Sequence, residues 1–169
     1  MDETTLSLDP PLRACWMKAG QQKRIPATRP GTKPHRHIFG AYEWLEDTVT
    51  WTIAEKKNSE TFITFLEELL VKKYPTGRIV LVLDNASYHK SGSALAALSL
   101  FEHRLMTIWL PPYCSDLNPI ERFWRHLKDL ACANKLEDNI ENVVKATEKI
   151  LNAQNDPASD LRFYISKNL

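Results

Sequence analysis

Five consecutive apolar residues, Ile79-Val80-Leu81-Val82-Leu83, run into the turn-forming pair Asp84-Asn85. A run this short and uniformly apolar reads as a central strand, covered on both faces. Pro75-Thr76-Gly77 stops the preceding helical pattern, and further helix and strand signals follow, which points to a mixed α/β fold. Asp84 then stands at the carboxyl end of the strand, the edge at which such sheets open their ligand crevices.

The remaining elements follow from periodicity and punctuation. Thr4 to Leu8 alternates polar and apolar and predicts a first strand, with Asp2 on it or just before it; Asp9-Pro10-Pro11 ends it. Residues 10–33 are expected to be irregular, with a short extended piece around Lys23 to Ala27. Arg36 to Trp44 and Thr48 to Ile53 predict an antiparallel pair turning at Leu45-Glu46-Asp47. Asn58 or Ser59 caps a helix expected to reach about Tyr74, with Phe62, Phe65, Leu66, Leu69 and Leu70 as its buried stripe. Ser93 to Phe101 predicts a short helix, and Leu105 to Leu110 a strand closed by Pro111-Pro112. Asn118-Pro119 and Asp138-Asn139 each open a further helix, and Asp156 to Leu169 predicts a last short one. The order gives an α/β sheet whose first three strands are antiparallel and whose later strands are parallel, flanked by helices. No internal boundary divides it, so residues 1–169 are read as a single domain.

With 169 residues, 43% hydrophobic and 25% charged, the chain has enough apolar mass for one full core. No stretch is long and apolar enough to span a membrane, and the acidic, polar start carries no secretory pattern. Cys15, Cys114 and Cys132 show neither paired nor zinc-like spacing and read as reduced thiols in a cytosolic protein. The net charge of +1 does not argue for nucleic acid, but its distribution does. Seven cations, Arg13, Lys18, Lys23, Arg24, Arg29, Lys33 and Arg36, fall between Pro10 and Tyr42 with no acid among them. They suit either phosphate contacts or a solvated loop balanced by acids elsewhere.

Thirty-six residues separate Asp84 from Glu121, which starts the helix after Asn118-Pro119; Asp2 is the natural third acid. Carboxylates at strand and helix ends suit magnesium or manganese, which prefer oxygen ligands. Each also has a structural reading. Asp84 can cap its own turn, Glu121 occupies the capping-box position, Asp2 lies at a terminus, and Asp116 competes for the Glu121 role as a loop residue. His89 suits contact with phosphate or a metal-bound water, or else a backbone hydrogen bond. Asn85 either orients the loop or simply makes the turn. Phe123 and Trp124 read as core, while Arg122, Arg125, His126 and Lys128 face either a phosphate backbone or solvent.

Two blocks then acquire a common meaning. Val80-Leu81-Val82-Leu83-Asp84-Asn85-Ala86-Ser87-Tyr88-His89, followed by Leu110-Pro111-Pro112-Tyr113-Cys114-Ser115-Asp116-Leu117-Asn118-Pro119-Ile120-Glu121-Arg122-Phe123-Trp124, resembles the catalytic domain of IS630-type transposases, members of the Tc1/mariner superfamily of DDE transposases. Asp2-Glu3, with Trp16 and Gly20, resembles the first block of that family.

The resemblance implies a ribonuclease H-like fold and a catalytic and metal-binding triad of Asp2, Asp84 and Glu121, with Asn85, His89 and Asn118 auxiliary. It implies two Mg2+ (or Mn2+) ions, DNA cleavage by activated water, and transfer of the new 3′-hydroxyl to target DNA. The partner is DNA, contacted through Arg13, Lys18, Lys23, Arg24, Arg29, Lys33, Arg36, Arg122 and Arg125. The active form is expected to be a homodimer in the bacterial cytoplasm, at the nucleoid when bound to DNA.

Two departures shape the expectation. No helix-turn-helix region is present, so end recognition is expected from a separate polypeptide. Only Met1 precedes Asp2, so the first strand is expected to be truncated, with Asp2 loosely fixed and the amino terminus competing for its carboxylate. The alternatives are an impaired transposase remnant that binds DNA or a full-length transposase, and a ribonuclease H-like nuclease.

Overall fold

The computed structural model describes residues 1–28, 34–112 and 117–165. β1 (Asp2–Ser7), β2 (His35–Glu43) and β3 (Thr48–Ala54) form an antiparallel meander in which Asp2 lies opposite Gly40 and Gly40 opposite Trp51. β4 (Ile79–Leu83) and β5 (Leu105–Trp109) pair in parallel, with Ile79 opposite Leu105. The first hairpin forms where expected because Tyr42 donates its hydroxyl to Asp47, which adopts φ of 53° in the turn.

Helices cover both faces of the antiparallel meander. α1 (Ser59–Glu67) starts at Asn58, whose side-chain oxygen accepts from Thr61 N at 2.9 Å. It continues through Glu68–Lys73 in the wider π geometry, and Gly77, at φ of 89°, turns the chain into β4. A 3₁₀ turn (Ser87–Lys90) leads to α2 (Gly92–Ser99), capped by Ser91. α3 (Ile120–Ala131) and α4 (Ile140–Asn155, capped by Asn139) complete the set.

The period-two alternation of β1 and β2 divides the core. Leu6 and Ile38 face α3 and α4, packing with Phe123, Trp124, Leu127, Val143 and Leu151. Met1 and Phe39 face the opposite way, joining Leu81 and Leu83 under Phe62, Phe65, Leu66 and Leu98. Each such large apolar side chain contributes about 1.5–3 kcal/mol on burial. Gly40 is required by contact: a Cβ there would meet the Trp124 ring at 2.4 Å.

Several expectations are corrected. The strand Ile79–Leu83 is not covered on both faces: Val80 is 60% exposed. The parallel pair forms its own ladder, separate from the meander, and the Met1 amine, 2.8 Å from the Val82 carbonyl, bridges them. An apolar cavity of about 480 Å³, lined by Met1, Tyr42, Val80 and Ile120, lies beside that bridge. The expected extended piece at Lys23 to Ala27 forms no strand. The expected last helix is also absent among the described residues. Gln154 both donates to and accepts from the Phe163 backbone, and Arg162 donates to Glu46 O, which pins this segment along the hairpin.

Candidate active site at the sheet edge

Asp2 is 6% exposed and shares its face of β1 with Leu6, toward α3. Trp124 lies over Gly40, the residue opposite Asp2, and its indole N–H donates to Asp2 Oδ2 at 3.1 Å. The expectation of a loosely held Asp2 is therefore corrected: a strand ladder fixes its backbone and an indole fixes its side chain. The amino terminus donates to Val82 O, and burial pushes its pKa down to about 6 against the opposing charges of Asp2, Glu3 and Asp84. Burial, then the neighbouring charges of Glu121, Glu3 and Asp84, push the Asp2 carboxyl up to about 7.

Asp84 leaves β4 half-buried, and its Oδ1 accepts from Ala86 N at 3.0 Å, so the turn-capping role is real. His89 is fully buried, and its ring nitrogens face carboxylates rather than the backbone. Its Nε2 lies 2.9 Å from Glu3 Oε1, and its Nδ1 lies 2.8 Å from Asp84 Oδ1, off the line of a good hydrogen bond. The His89 contact is the main cause of a lowered Asp84 pKa. Burial opposes a charge on His89, yet Asp84 and Glu3 together hold its pKa up at about 9.

Glu3 was missed by sequence reasoning. Its side chain is fully buried on the face of β1 opposite to Asp2, where it accepts from Tyr88 and pairs with Lys57 at 3.6 Å. Two of its partners, Tyr88 and His89, lie more than 80 residues away along the chain, so no local pattern signals it.

Glu121 occupies the first turn of α3 and is exposed. The capping box does not form. No side chain caps this helix, and Asn118 instead donates its side-chain amide to Met1 O at 3.3 Å, tying the helix start to β1. Asn85 donates to the Leu110 carbonyl, binding the loop after β4 to the end of β5. Asp116 lies outside the described residues.

Of the basic candidates, Arg29 and Lys33 lie outside the described residues. Arg36 is held by Glu141 at 2.7 Å and approaches Glu55 at 3.7 Å, and Arg13 is held by Asp129 at 2.6 Å. Lys18, Lys23 and Arg24 are exposed on the irregular segment before β2, where Trp16 is also wholly exposed. Arg122 and Arg125 are exposed on α3. With Glu121, Lys128 and Arg13 they border a polar cavity of about 410 Å³.

The donor set is one of oxygens, and the Asp2 pKa is raised first by burial and then by the charges of Glu121, Glu3 and Asp84, which a divalent cation would offset. Asp2, Asp84 and Glu121 therefore fit such ions chemically, although among the described residues no three His, Cys, Asp or Glu side chains are gathered closely enough to grip one.

An antiparallel meander beside a parallel pair, with helices on both faces and acids at the strand ends, defines a ribonuclease H-like fold. The comparisons agree. The chain belongs to the DDE superfamily endonuclease family, which matches residues 1–143. It is 30% identical over 133 residues to the insertion element IS630 uncharacterized 39 kDa protein of Shigella sonnei, covering 79% of this chain and 38% of that protein. It thus spans well under half of that relative. Among solved structures, the Mos1 transposase paired-end complex with left transposon end superposes with a TM-score of 0.67 at 20% identity, over 90% of this chain and 46% of the other. The Mos1 strand transfer complex gives 0.68 at 18% identity, over 96% and 47%. The resemblance to IS630-type and mariner transposases is upheld, and so is the fold it implied.

Among the described residues no helix is long and apolar enough to cross a membrane.

Proposed function

We propose that this chain is the catalytic domain of a DDE transposase that cleaves DNA strands and joins the freed 3′-hydroxyl to target DNA, with Asp2, Asp84 and Glu121 as its metal-binding acids. The observation that carries this reading is the buried Asp2 carboxylate, locked by Trp124 and crowded by the charges of Glu121 and Asp84. Two Mg2+ or Mn2+ ions, when bound, would supply nucleophile activation and stabilise the leaving oxygen. Asp2 and Asp84 would hold the pair between them and Glu121 would complete the second site. Trp124 sets the Asp2 orientation, while Glu3, through His89, sets that of Asp84 and leaves its second oxygen free for a ligand. Mos1 structures carrying Mn and Mg support the choice of ion.

The DNA partner rests on the family and on the exposed cations Lys18, Lys23, Arg24, Arg122 and Arg125. Homodimerisation, a separate end-binding polypeptide and a cytoplasmic, nucleoid-associated location complete the proposal. A second reading, an impaired remnant that binds DNA without cutting it, is favoured by the open spacing of the acids.

Thermal unfolding with and without Mg2+ or Mn2+ separates the readings. The catalytic reading expects the metal to raise Tm and Asp84→Asn to abolish the rise. A wild-type Tm that ignores both metals overturns it in favour of the remnant. Joined products from a pre-cut DNA end identify a transposase, whereas nicking alone identifies a nuclease.

A further inference from the structure

We propose that the apolar cavity between β2 and β4 is a slot for the extended, apolar carboxyl-terminal segment of a second polypeptide, which enters as a strand joining the two ladders. The inference gives the separate polypeptide proposed above a place to attach, but it rests on the slot alone and not on the metal reading. Both walls of the slot are strand edges left without a partner. β1 pairs with β2 only as far as Asp2 opposite Gly40, so residues 41–43 pair with β3 alone. β4 pairs with β5 alone, apart from the Met1 amine on Val82 O. Residues 41–43 and 79–82 border the same cavity of about 480 Å³. At 3.3 Å per residue, the unopposed positions of β2 make a slot roughly 10 Å long. Open edges of this kind are templates for strand addition.

The rest of the lining sets what the strand must carry. Leu69, from the layer of α1, borders the cavity on one face, and Ile120, at the start of α3, borders it on the other. Side chains of a strand alternate between faces, so consecutive apolar residues would bury one against Leu69 and the next against Ile120. The same strand would cover Val80, which is 60% exposed. Charge sets the direction. The slot continues the line of β1 past Met1, which borders it. The Met1 amine donates to Val82 O, and among the described residues no carboxylate lies within salt-bridge distance of it. The charges of Asp2, Glu3 and Asp84 act on it from farther away. A segment running antiparallel to β2 brings its terminal carboxylate to this amine. One running the other way brings a second amine there, or must turn back where Met1 blocks the slot. The occupant is therefore a carboxyl terminus.

The test uses a synthetic peptide, a labelled lysine pair followed by four valine and isoleucine residues and a free carboxyl end, titrated into the whole chain by fluorescence anisotropy. The peptide should bind, and hydrogen exchange followed by NMR should slow about tenfold at backbone amides among residues 41–43 and 79–82. A proline at its second apolar position removes a backbone donor and should abolish both effects. Amidating the carboxyl end should weaken binding severalfold. Val80→Asp places a charge in the slot and should weaken binding about tenfold. Met106→Asp, a similarly exposed change on β5 outside the slot, should leave binding unchanged. If Val80→Asp folds poorly, the wild-type exchange pattern decides alone. No binding, binding without that protection, equal binding of the proline peptide, or an equal loss in Val80→Asp and Met106→Asp overturns the slot. Undiminished binding of the amidated peptide overturns the assignment to a carboxyl terminus. Wild-type protein that is dimeric alone and turns monomeric as peptide is added assigns the slot to a second copy and overturns the proposal. The Mn2+ shift in Tm is read on the same protein. A shift without peptide binding overturns the slot and leaves the metal reading intact, while binding without a shift supports the slot and overturns the catalytic reading.

Discussion

Replacing Asp2 by Asn removes a buried charge while keeping an oxygen for the Trp124 indole to bond. Asp2 is raised from 3.8 to about 7 by burial and by the charges of Glu121, Glu3 and Asp84. At 1.36 kcal/mol per pKa unit, keeping it ionised costs the fold on the order of 4 kcal/mol, an upper bound because its acidic neighbours titrate with it. The sign follows from proton binding. Between pH 4 and 7 the folded state holds more protons than the unfolded chain, so this group costs nothing in acid, and its full penalty is present above pH 7. In EDTA, urea unfolding should therefore show Asp2→Asn more stable than wild type at pH 8 and level with it at pH 4. Wild-type stability should fall across that interval more steeply than that of the variant. Adding Mg2+ at pH 8 should reverse the order, because only the wild type gains a ligand. If Asp2→Asn is less stable than wild type at pH 8 in EDTA, or retains the wild-type pH slope, Asp2 is not the crowded charge described here.

Two further outcomes follow from packing and pairing. Gly40→Ala drives a methyl group into the Trp124 ring and should cost about 1–3 kcal/mol in urea unfolding; loss of the metal-induced Tm shift should accompany it as the indole leaves Asp2. Glu3→Gln strips the fully buried His89 of one of its carboxylates and should destabilise the protein by about 3–5 kcal/mol. In wild type, His89 is raised from 6.5 to about 9, so its stabilisation is complete below pH 6.5 and lost as pH rises through 9. NMR titration of the His89 ring should find this high midpoint, and Glu3→Gln should lower it.

Much of the architecture was legible because local chemistry and tertiary demand agree. Asn58 and Asn139 read as helix caps and act as such, since nothing else claims their side chains. Asn118 read as a cap and is not one, because the Met1 carbonyl, far away in sequence, takes its amide. Ile79–Leu83 read as a strand but not as a half-exposed one: an apolar run reports what a residue tolerates, not what covers it. Asp84 was found through its strand and Glu121 through its helix start. His89 was found but its contact with Glu3 was not, and Glu3 was not singled out, because that contact joins residues 86 positions apart along the chain.

The bridge from the Met1 amine to Val82 O has a mechanical consequence. Asp2 rides on one ladder and Asp84 on the other, so the gap between their carboxylates is set by how the two ladders are joined, through the Met1 bridge and the Glu3–His89–Asp84 chain. A cation shared by the pair would act as a rivet across that joint. Its affinity and the stiffness of the whole domain would then be two readings of the same spring.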